Sequence, residues 1–294
     1  MDGSANRLGD YLRARRELVR PEDVGLPNLG RRRVPGLRRE ELALLAGISG
    51  DYYLRLEQGR DQHPSAQVLD AIARALQLDA DATAYLHQLA RPAPRRRATT
   101  RTDRVPPGIA QLIAEWHTTP AYVQNRFMDV VAANRLAVAL SPSYSPGSNL
   151  LRSAFLDPEA RKLHLDHELA AEEGVAALRA LVGTDLDDPR LVELVGELSL
   201  HSERFRRLWA RHDVRRKRAR VSRLEHPQVG PLQLRGERLT VDGTDGLVLV
   251  ALHAEPGSHS ADSLALLASL TASTERPERA PATRPEQSSS LDER

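Results

Sequence analysis

The chain has 294 residues, with 42 lysine and arginine residues against 40 aspartate and glutamate residues, and it contains no cysteine. The length predicts about two domains, and the lack of cysteine excludes disulfides, zinc–thiolate sites and cysteine nucleophiles. The net charge of +2 excludes a polycation. The first 100 residues nevertheless carry 17 arginines against 13 acidic residues, so the N-terminal third is the better candidate for a nucleic-acid contact.

Neither a secretion signal nor a membrane segment is predicted. The first 17 residues are polar and lack the apolar centre of a signal peptide. The longest apolar run, GLVLVALHA at 246–254, is far shorter than the roughly 20 residues that a membrane helix needs. We therefore expect a cytoplasmic protein without a membrane partner, in keeping with the absence of cysteine.

The apolar pattern from 7 to 90 predicts a compact set of helices. The first helix begins near Leu8 and ends before Pro21. Four short helical patterns follow at 38–46, 50–58, 65–77 and 80–89. In the third, one buried face is formed at the spacing i, i+3, i+4, i+7 by Leu69, Ile72, Ala73 and Leu76. We assign residues 1–90 to an all-α domain.

Residues 91–108 are rich in proline, arginine and threonine and predict a linker. The following segment, 109–273, mixes two periods. Helical patterns lie at 109–117, 158–183, 188–212 and 259–270, and strand patterns lie within 121–134, 219–226, 230–243 and 245–256. We predict a second, α+β domain with an antiparallel sheet. Residues 274–294 lack apolar periodicity and are predicted to be a disordered tail.

The most informative stretch is LRREELALLAGISGDYYLRLEQGR, residues 37–60. Gly47 lies where a first helix must end in a tight turn, since only glycine takes a positive φ without penalty. Ser49 is placed to cap a second helix. In that helix, Tyr53 and Leu56 are three residues apart and face inward. That leaves a polar outward face of Gly50, Asp51, Leu54 and Arg55. The pattern favours a helix-turn-helix whose second helix enters the major groove over an ordinary helical bundle with a turn.

The ordered motifs EELALLAGIS, YYLRLEQGR and PSAQVLDAIARALQL resemble the phage-repressor-like, xenobiotic-response-element class of helix-turn-helix regulators over residues 7–90. The resemblance implies that residues 49–58 form the recognition helix. Arginines 31–33 are either solvated or placed on phosphates, and the second reading is favoured beside such a motif. The predicted DNA-binding residues are Arg31, Arg32, Arg33, Arg38, Arg39, Ser49, Gly50, Asp51, Tyr52, Leu54, Arg55 and Arg60.

Two positions depart from that class. Gly50 stands where a base-reading side chain is common, so it supplies only a close backbone approach. Leu54 replaces a small polar residue and is expected either to touch a thymine methyl or simply to be exposed.

The second segment resembles MmyB-type regulators over residues 105–270. The matching motifs are PAYVQNRFMDVVAANRLA, NLLRSAFLDPEAR, ELVGELSLHSERFRRLWARHDV and HPQVGPLQL. The resemblance implies a PAS-like fold that senses a small, fatty-acid-like molecule; His167 departs from it, since tryptophan is common there. Such sites are apolar with a few polar anchors. The predicted ligand-binding residues are Tyr122, Phe127, Asn134, Asn149, Arg152, Phe155, Phe205, Trp209 and His212.

These residues have alternatives. Each aromatic side chain fits an ordinary core position at least as well as a ligand wall. Arg152 and His212 are candidates to anchor a polar head group, and an internal role, such as an ion pair involving Asp213, fits equally.

No catalytic or cofactor motif is recognised. His164 and His167 have the i, i+3 spacing of a metal pair, but no HExxH accompanies them and a solvated helix face is the preferred interpretation. No serine lies in a G-x-S-x-G elbow, and DGTDG predicts a hairpin turn rather than a phosphate loop. We expect neither an enzyme, nor a metal, nor a cofactor.

The basic stretch FRRLWARHDVRRKRAR, residues 205–220, looks at first like a nucleic-acid groove with a stacking tryptophan. Phe205, Leu208 and Trp209 have the i, i+3, i+4 spacing of an apolar helix face, however, and predict a face turned into the second domain. The helix is expected to end near His212.

Together these patterns predict a sequence-specific transcriptional regulator of double-stranded DNA, controlled by a small apolar ligand. A homodimer on a palindromic operator is expected, because one short recognition helix makes too few base contacts. The alternative is a ligand-binding or protein-interaction module whose helical domain docks a protein partner.

Overall fold

The structure is a computed structural model, and it describes residues 6–27, 36–61, 63–91, 103–215 and 220–273. Its described N-terminal part is all-α, as predicted. It contains α1 (Arg7–Leu18), a short 3-10 helix (Pro21–Val24), α2 (Arg39–Ala46), α3 (Gly50–Glu57), α4 (Ala66–Ala75) and α5 (Ala80–Ala90).

Polar side chains cap four of these helices, and Asn6 does so for α1 by accepting from the Gly9 backbone N–H at 3.1 Å. Ser49 Oγ accepts from the Tyr52 backbone N–H at 3.2 Å at the start of α3. Ser65 does the same for α4, and Asp79 for α5. Each cap satisfies a backbone donor that has no partner within the helix. The two serine caps therefore lie where the sequence predicts them.

One apolar core holds the N-terminal helices together. The predicted inward faces of α2, α3 and α4 all lie in it, and Leu42, Tyr53, Leu56 and Ile72 are fully buried. Tyr11 of α1 is also fully buried, so the first helix closes this core from the other side.

The described C-terminal part is α+β, as predicted. Its helices are α6 (Pro107–Ala114), α7 (Arg135–Leu140), α8 (Leu150–Leu156), α9 (Pro158–Leu163), α10 (His167–Val182), α11 (Pro189–His201), α12 (Glu203–Ala210) and α13 (His259–Ser273). Its strands are β1 (Ala121–Gln124), β2 (Val130–Ala133), β3 (Val221–His226), β4 (Gly230–Thr240) and β5 (Val248–His253).

The strands form one five-stranded sheet in the order β2-β1-β5-β4-β3, with every neighbouring pair antiparallel. Residues alternate between its two faces. Tyr122 pairs with Val250, and both face the cluster that contains α7 and α13. Val123 pairs with Leu249, and both face α6 on the opposite side. The sheet is thus covered on both faces at its centre.

Two long helical patterns are each divided in two. The pattern at 158–183 breaks between α9 and α10, where the Leu165 N–H donates to Arg223 O of β3 at 3.0 Å. The pattern at 188–212 breaks at Ser202, whose hydroxyl caps α12 by accepting from the Phe205 N–H at 3.1 Å. A sheet contact and a local cap therefore override helical periodicity.

Helices α7 and α8 were absent from the elements assigned from sequence. Asn134 begins α7 and Asn149 begins α8, each by accepting backbone N–H groups of the first turn. Both helices are short, at six and seven residues, so their apolar periodicity is too brief to detect without these caps.

The two parts of the chain are in contact. Arg15 of α1 pairs with Asp213, and Arg7 donates to the carbonyl of Thr184. Val214, just beyond α12, is buried in the N-terminal core. The predicted linker, 91–108, lies largely outside the described residues, and α6 begins within it at Pro107. The domain boundaries stay a prediction, as does the tail, which lies outside the described residues.

Candidate functional site

The turn between α2 and α3 has the geometry that the sequence predicts. Gly47 adopts φ 66°, and its N–H donates to Leu44 O at 3.1 Å. The next N–H, of Ile48, donates to Ala43 O at 3.0 Å. These two bonds satisfy carbonyls at the end of α2 and turn the chain sharply into α3. The half-buried Ile48 packs on the core and fixes the turn.

The outward face of α3 is open to solvent. Asp51 and Arg55 are exposed, while Tyr52 and Leu54 are half-buried. The Arg55 guanidinium lies over the Tyr52 ring, 5.6 Å from its centre. A Cβ built on Gly50 would meet nothing within 4 Å, so the backbone at the start of α3 is accessible to a large partner.

Beneath this face lies a buried charge network that sequence reasoning missed. The Glu57 carboxylate is fully buried and accepts from Arg16 Nε at 2.7 Å and from Arg39 Nε at 2.6 Å. Burial alone opposes ionisation, but the hydrogen bonds from Arg16 and Arg39 outweigh it, so the pKa of Glu57 is lowered. Arg16 also donates to Leu37 O at 2.7 Å. The network ties α1, α2 and α3 into one unit.

The other predicted DNA-binding residues surround α3. Arg38 is exposed immediately before α2, and Arg60 is exposed just beyond α3. Arg39 is exposed as well, although its guanidinium is tied to Glu57. Arg31, Arg32 and Arg33 lie outside the described residues.

A second candidate site lies between the sheet and the helices of the C-terminal part. It is a cavity of about 100 Å³ between two of the apolar clusters of this region, the one that contains α7 and α13 and the one formed by α8, α10, α11 and α12. Its walls come from β1, α8 and α10. The apolar lining includes Tyr122, Met128, Tyr144, Leu150, Leu151 and Gly174.

Two stacked tyrosines form one wall of the cavity. The rings of Tyr122 and Tyr144 are 4.6 Å apart between centres and nearly parallel, at 11°. Burial raises the pKa of both phenols, so both are neutral at physiological pH. The edge of His164 contacts Tyr144, with ring centres 6.3 Å apart.

The cationic and imidazole side chains of this cavity come from one side, while Ser143 and Ser153 also belong to its lining. Arg161, His164 and His167 line it between α9 and the first turn of α10. His167 also lies 3.2 Å from a carboxylate oxygen of Glu168. The two histidines, interpreted from sequence as a solvated helix face, are half-buried in the cavity wall instead. The physical reason is the break between α9 and α10, which turns this segment toward the cavity.

Of the residues predicted to bind a ligand, Tyr122 lies in the wall of this cavity and the others lie elsewhere. Phe127, Phe155 and Phe205 are buried in the helical core beside it. Phe127 lies between two guanidinium groups, those of Arg126 and Arg190, each 4.7 Å from the ring centre. These rings are core, the alternative that their sequence pattern left open.

The polar members of that set have structural partners. Asn134 donates to the carbonyls of Trp116 and Thr119, and Asn149 donates to Phe127 O at 2.9 Å. Arg152 pairs with Glu197 at 2.7 Å. Trp209 packs at the edge of the helical core, with the Arg179 guanidinium over its ring. His212 lies at the contact between the two parts of the chain, beside Tyr11.

The cavity residues that sequence reasoning missed carry a weak signal. Met128 lies in a loop and Tyr144 ends a short 3-10 helix (Pro142–Tyr144). Gly174 lies in the middle of α10, where glycine costs about 1 kcal/mol relative to alanine. A Cβ at Gly174 would lie 3.0 Å from Leu151 Cδ2, so glycine permits the close packing of α8 on α10. A glycine in the middle of an amphipathic helix, such as Gly174, was the sequence feature that could have indicated this close packing beside the cavity.

Comparison with known protein families gives a match for each part of the chain. Residues 7–86 match a helix-turn-helix domain, and residues 105–267 match the MmyB-like transcription regulator ligand binding domain. No curated protein matches the sequence significantly. Among the described residues, no group of three or more histidine or acidic side chains is arranged to hold a metal ion, and no helix is both long and apolar enough to cross a membrane. The chain belongs to the MmyB-like transcription regulator family: it is a DNA-binding regulator with a ligand-binding C-terminal domain.

Proposed function

We propose that α3 reads base edges in the major groove of an operator, with its exposed face as the contact surface. One observation carries this proposal: the tight turn at Gly47 presents the outward face of α3, and the buried Glu57 network holds that face rigid. A rigid second helix with a polar, exposed side is what groove recognition requires.

The residues of this surface have different roles in the proposal. Arg55 is the base-reading side chain, and its stacking on Tyr52 limits its conformers. Arg38 and Arg60 contact phosphates, which adds affinity that falls with salt but carries no sequence information. Gly50 allows the sugar–phosphate backbone to approach the N-terminus of α3, where the free N–H groups and Ser49 favour an anion.

We propose that two copies bind one operator. α3 spans only eight residues, so one copy reads too few base pairs for specificity. Two-fold pairing doubles the contacts and predicts a palindromic site with half-sites one helical turn apart.

The cavity supports an apolar ligand. Its lining is mainly aromatic and aliphatic, and its cationic and imidazole groups lie on one side. An alkyl chain that carries an anionic end fits that division, with the chain against Tyr122 and Leu151 and the anion near Arg161. An antiparallel sheet with helices enclosing a cavity also supports a PAS-like domain.

We further infer a cytoplasmic regulator without enzymatic activity, with the DNA-binding domain within 1–90 and the ligand-binding domain within 109–273. The family assignment supports this regulatory role and the two domains, since members of the family act on transcription.

Selection from a random duplex library with the full chain tests the DNA assignment. We expect a two-fold symmetric consensus, and loss of enrichment when Arg38, Arg55 and Arg60 are all replaced by alanine. Arg74→Ala is a matched control, because Arg74 is exposed on α4 away from the turn. Undiminished selection by the triple variant would contradict the assigned face, and a consensus without symmetry would contradict the dimer.

A further inference from the structure

Helix α10 contacts both the ligand cavity and the DNA-binding domain. At its N-terminal half, His167, Ala170 and Gly174 line the cavity, at the i, i+3 and i+7 spacing that places residues on one face. Arg179 and Ala180 meet the N-terminal domain five and six residues beyond Gly174. At about 1.5 Å per residue, the two contacts are less than about 10 Å apart along one rigid element.

The contact of α10 with the N-terminal domain is built around a buried cation, the guanidinium of Arg179. Arg179 is 2% exposed, and its guanidinium lies 3.9 Å from the centre of the Trp209 ring. Its Nη2 donates to Trp209 O at 2.8 Å, while its Nε has no hydrogen-bond partner among the described residues. Across the domain boundary, the adjacent Ala180 packs against the core that contains Tyr85 of α5, and the Arg179 charge interacts with the Tyr85 phenol. Burial lowers the pKa of Arg179.

This contact lacks the compensation that an ordinary buried ion has. No carboxylate lies within 4 Å of the Arg179 guanidinium in the described part of the chain, and aromatic rings and one carbonyl take its place. A buried charge with incomplete hydrogen bonding is costly. A small movement of α10 therefore changes how well Arg179 is satisfied, and with it the stability of the domain contact.

The contact of α10 with the cavity gives a reason for this helix to move. The cavity, at about 100 Å³, is smaller than the roughly 300–1,000 Å³ of typical ligand sites. A ligand of typical size therefore presses on the walls of the cavity. β1 is held by backbone hydrogen bonds on both sides. The start of α10 has no side-chain cap and is held at the surface by ion pairs such as Asp166–Arg223. Of β1 and α10, α10 is therefore the wall that is held less firmly at its start.

We propose that α10 transmits occupancy of the cavity to the DNA-binding domain by moving Arg179 against Tyr85. The remainder of α10 is tightly packed, with Ala171, Val175 and Leu178 buried in the helical core. It therefore shifts as a unit rather than bending locally. The ligand changes the position of α1 and α5, and so the spacing of the two α3 helices in a dimer. This inference rests on the proposed function of the cavity.

The chain's lack of cysteine makes a distance measurement direct. Glu22→Cys and Glu193→Cys place one spin label on each exposed domain surface of the full chain. We expect a narrow distance distribution in the otherwise unaltered protein. Arg179→Ala and Arg179→Lys should each broaden it, because neither substitute stacks on Trp209 while bonding to its carbonyl. Arg206→Ala, exposed on α12, is the matched control and should leave it narrow.

Filling the cavity tests transmission without a ligand. Gly174→Leu should shift or broaden the distribution, and Gly174→Ala should do so to a smaller degree. Gly196→Leu is the matched control, because a Cβ at this helical glycine on α11 would meet nothing within 4 Å. If Gly174→Ala and Gly174→Leu remain folded by circular dichroism and keep the original distribution, the relay through α10 is wrong.

Titration with decanoate separates the relay from the proposed ligand chemistry. Both the relay and the ligand class are supported if decanoate binds the parent chain, alters the distance there and fails to bind Gly174→Leu. If decanoate does not bind but Gly174→Leu alters the distance, the proposed ligand class fails and the relay stands. If decanoate binds in the cavity and the distance is unchanged, the relay is overturned and the ligand class stands.

Discussion

Two buried charges distinguish the interior of the DNA-binding domain from the contact between the domains. Glu57 is enclosed by two arginines, both within 2.7 Å. Arg179 is equally buried, but aromatic rings and a carbonyl surround it. The first arrangement satisfies its charge and holds three helices in one geometry. The second satisfies its charge incompletely, which is consistent with a contact that changes during regulation.

The largest effect is expected at Glu57. Glu57→Gln leaves the buried Arg16 without its anion, and removing one partner of a buried pair costs about 3–5 kcal/mol. Denaturant unfolding of the full chain measures the loss of stability in the N-terminal domain. Glu40→Gln, at an exposed position of α2, is the matched control. An equal and small loss in both variants would remove the distinction between the two charges.

The next effect concerns the exposed face of α3. Arg55→Ala should weaken specific operator binding by about 1–3 kcal/mol, since a base-reading arginine contributes about that much. Its binding to unrelated DNA should fall much less. Quantitative gel shift against the selected operator measures both, with Arg74→Ala as the charge-matched control. A uniform loss on all sequences would reassign Arg55 to phosphate contact.

A smaller effect is expected at the cap of α3. Ser49→Ala removes the acceptor for the Tyr52 N–H and should cost about 1 kcal/mol of stability. Ser49→Asp keeps an acceptor and should retain most of the stability. Thermal unfolding compares the two variants. If Ser49→Asp unfolds as readily as Ser49→Ala, the cap is not the source of the effect.

The change in stability should be smallest at Arg179. Arg179→Met keeps an unbranched side chain and removes a charge that lacks full compensation, so global stability should change by less than about 1 kcal/mol. The same variant should lose the narrow interdomain distance. A loss of stability as large as that of Glu57→Gln would show that the two buried charges are equivalent.

Lowering the pH should weaken the contact between the two domains, because His212 becomes protonated. Burial, with Arg179 and Arg15 nearby, lowers the pKa of His212 from 6.5 to about 4. Its neutral form faces Tyr11 and adjoins Asp213. Because the folded pKa is lowered, its stabilising contribution is complete above pH 6.5 and is lost as the pH falls toward about 4.

Trp209 fluorescence in a Trp116→Phe background should report that loss, since the protein has two tryptophans. His212→Asn should suppress the change, because asparagine tolerates the positive φ of 52° at this position and carries no charge. A transition of the same size in His212→Asn would assign the pH dependence to another group.

Features that depend on a few adjacent residues could be predicted from the sequence. The glycine turn at 47, the serine caps at 49 and 65 and the apolar faces of the short helices are each written in a few adjacent residues, and each was confirmed. The face formed by Phe205, Leu208 and Trp209 was also predicted correctly, because its period reports burial. The change from helical to strand period likewise predicted the antiparallel sheet.

The tertiary structure decided what the buried polar groups contact. Glu57 meets Arg16 across 41 residues, and Tyr85 meets Arg179 across 94, so neither partnership leaves a local pattern. The same holds for the cavity, whose walls come from β1, α8 and α10. Periodicity alone shows that a side chain is buried; only the packing of distant elements determines whether it lies in a core, a cavity wall or a domain contact.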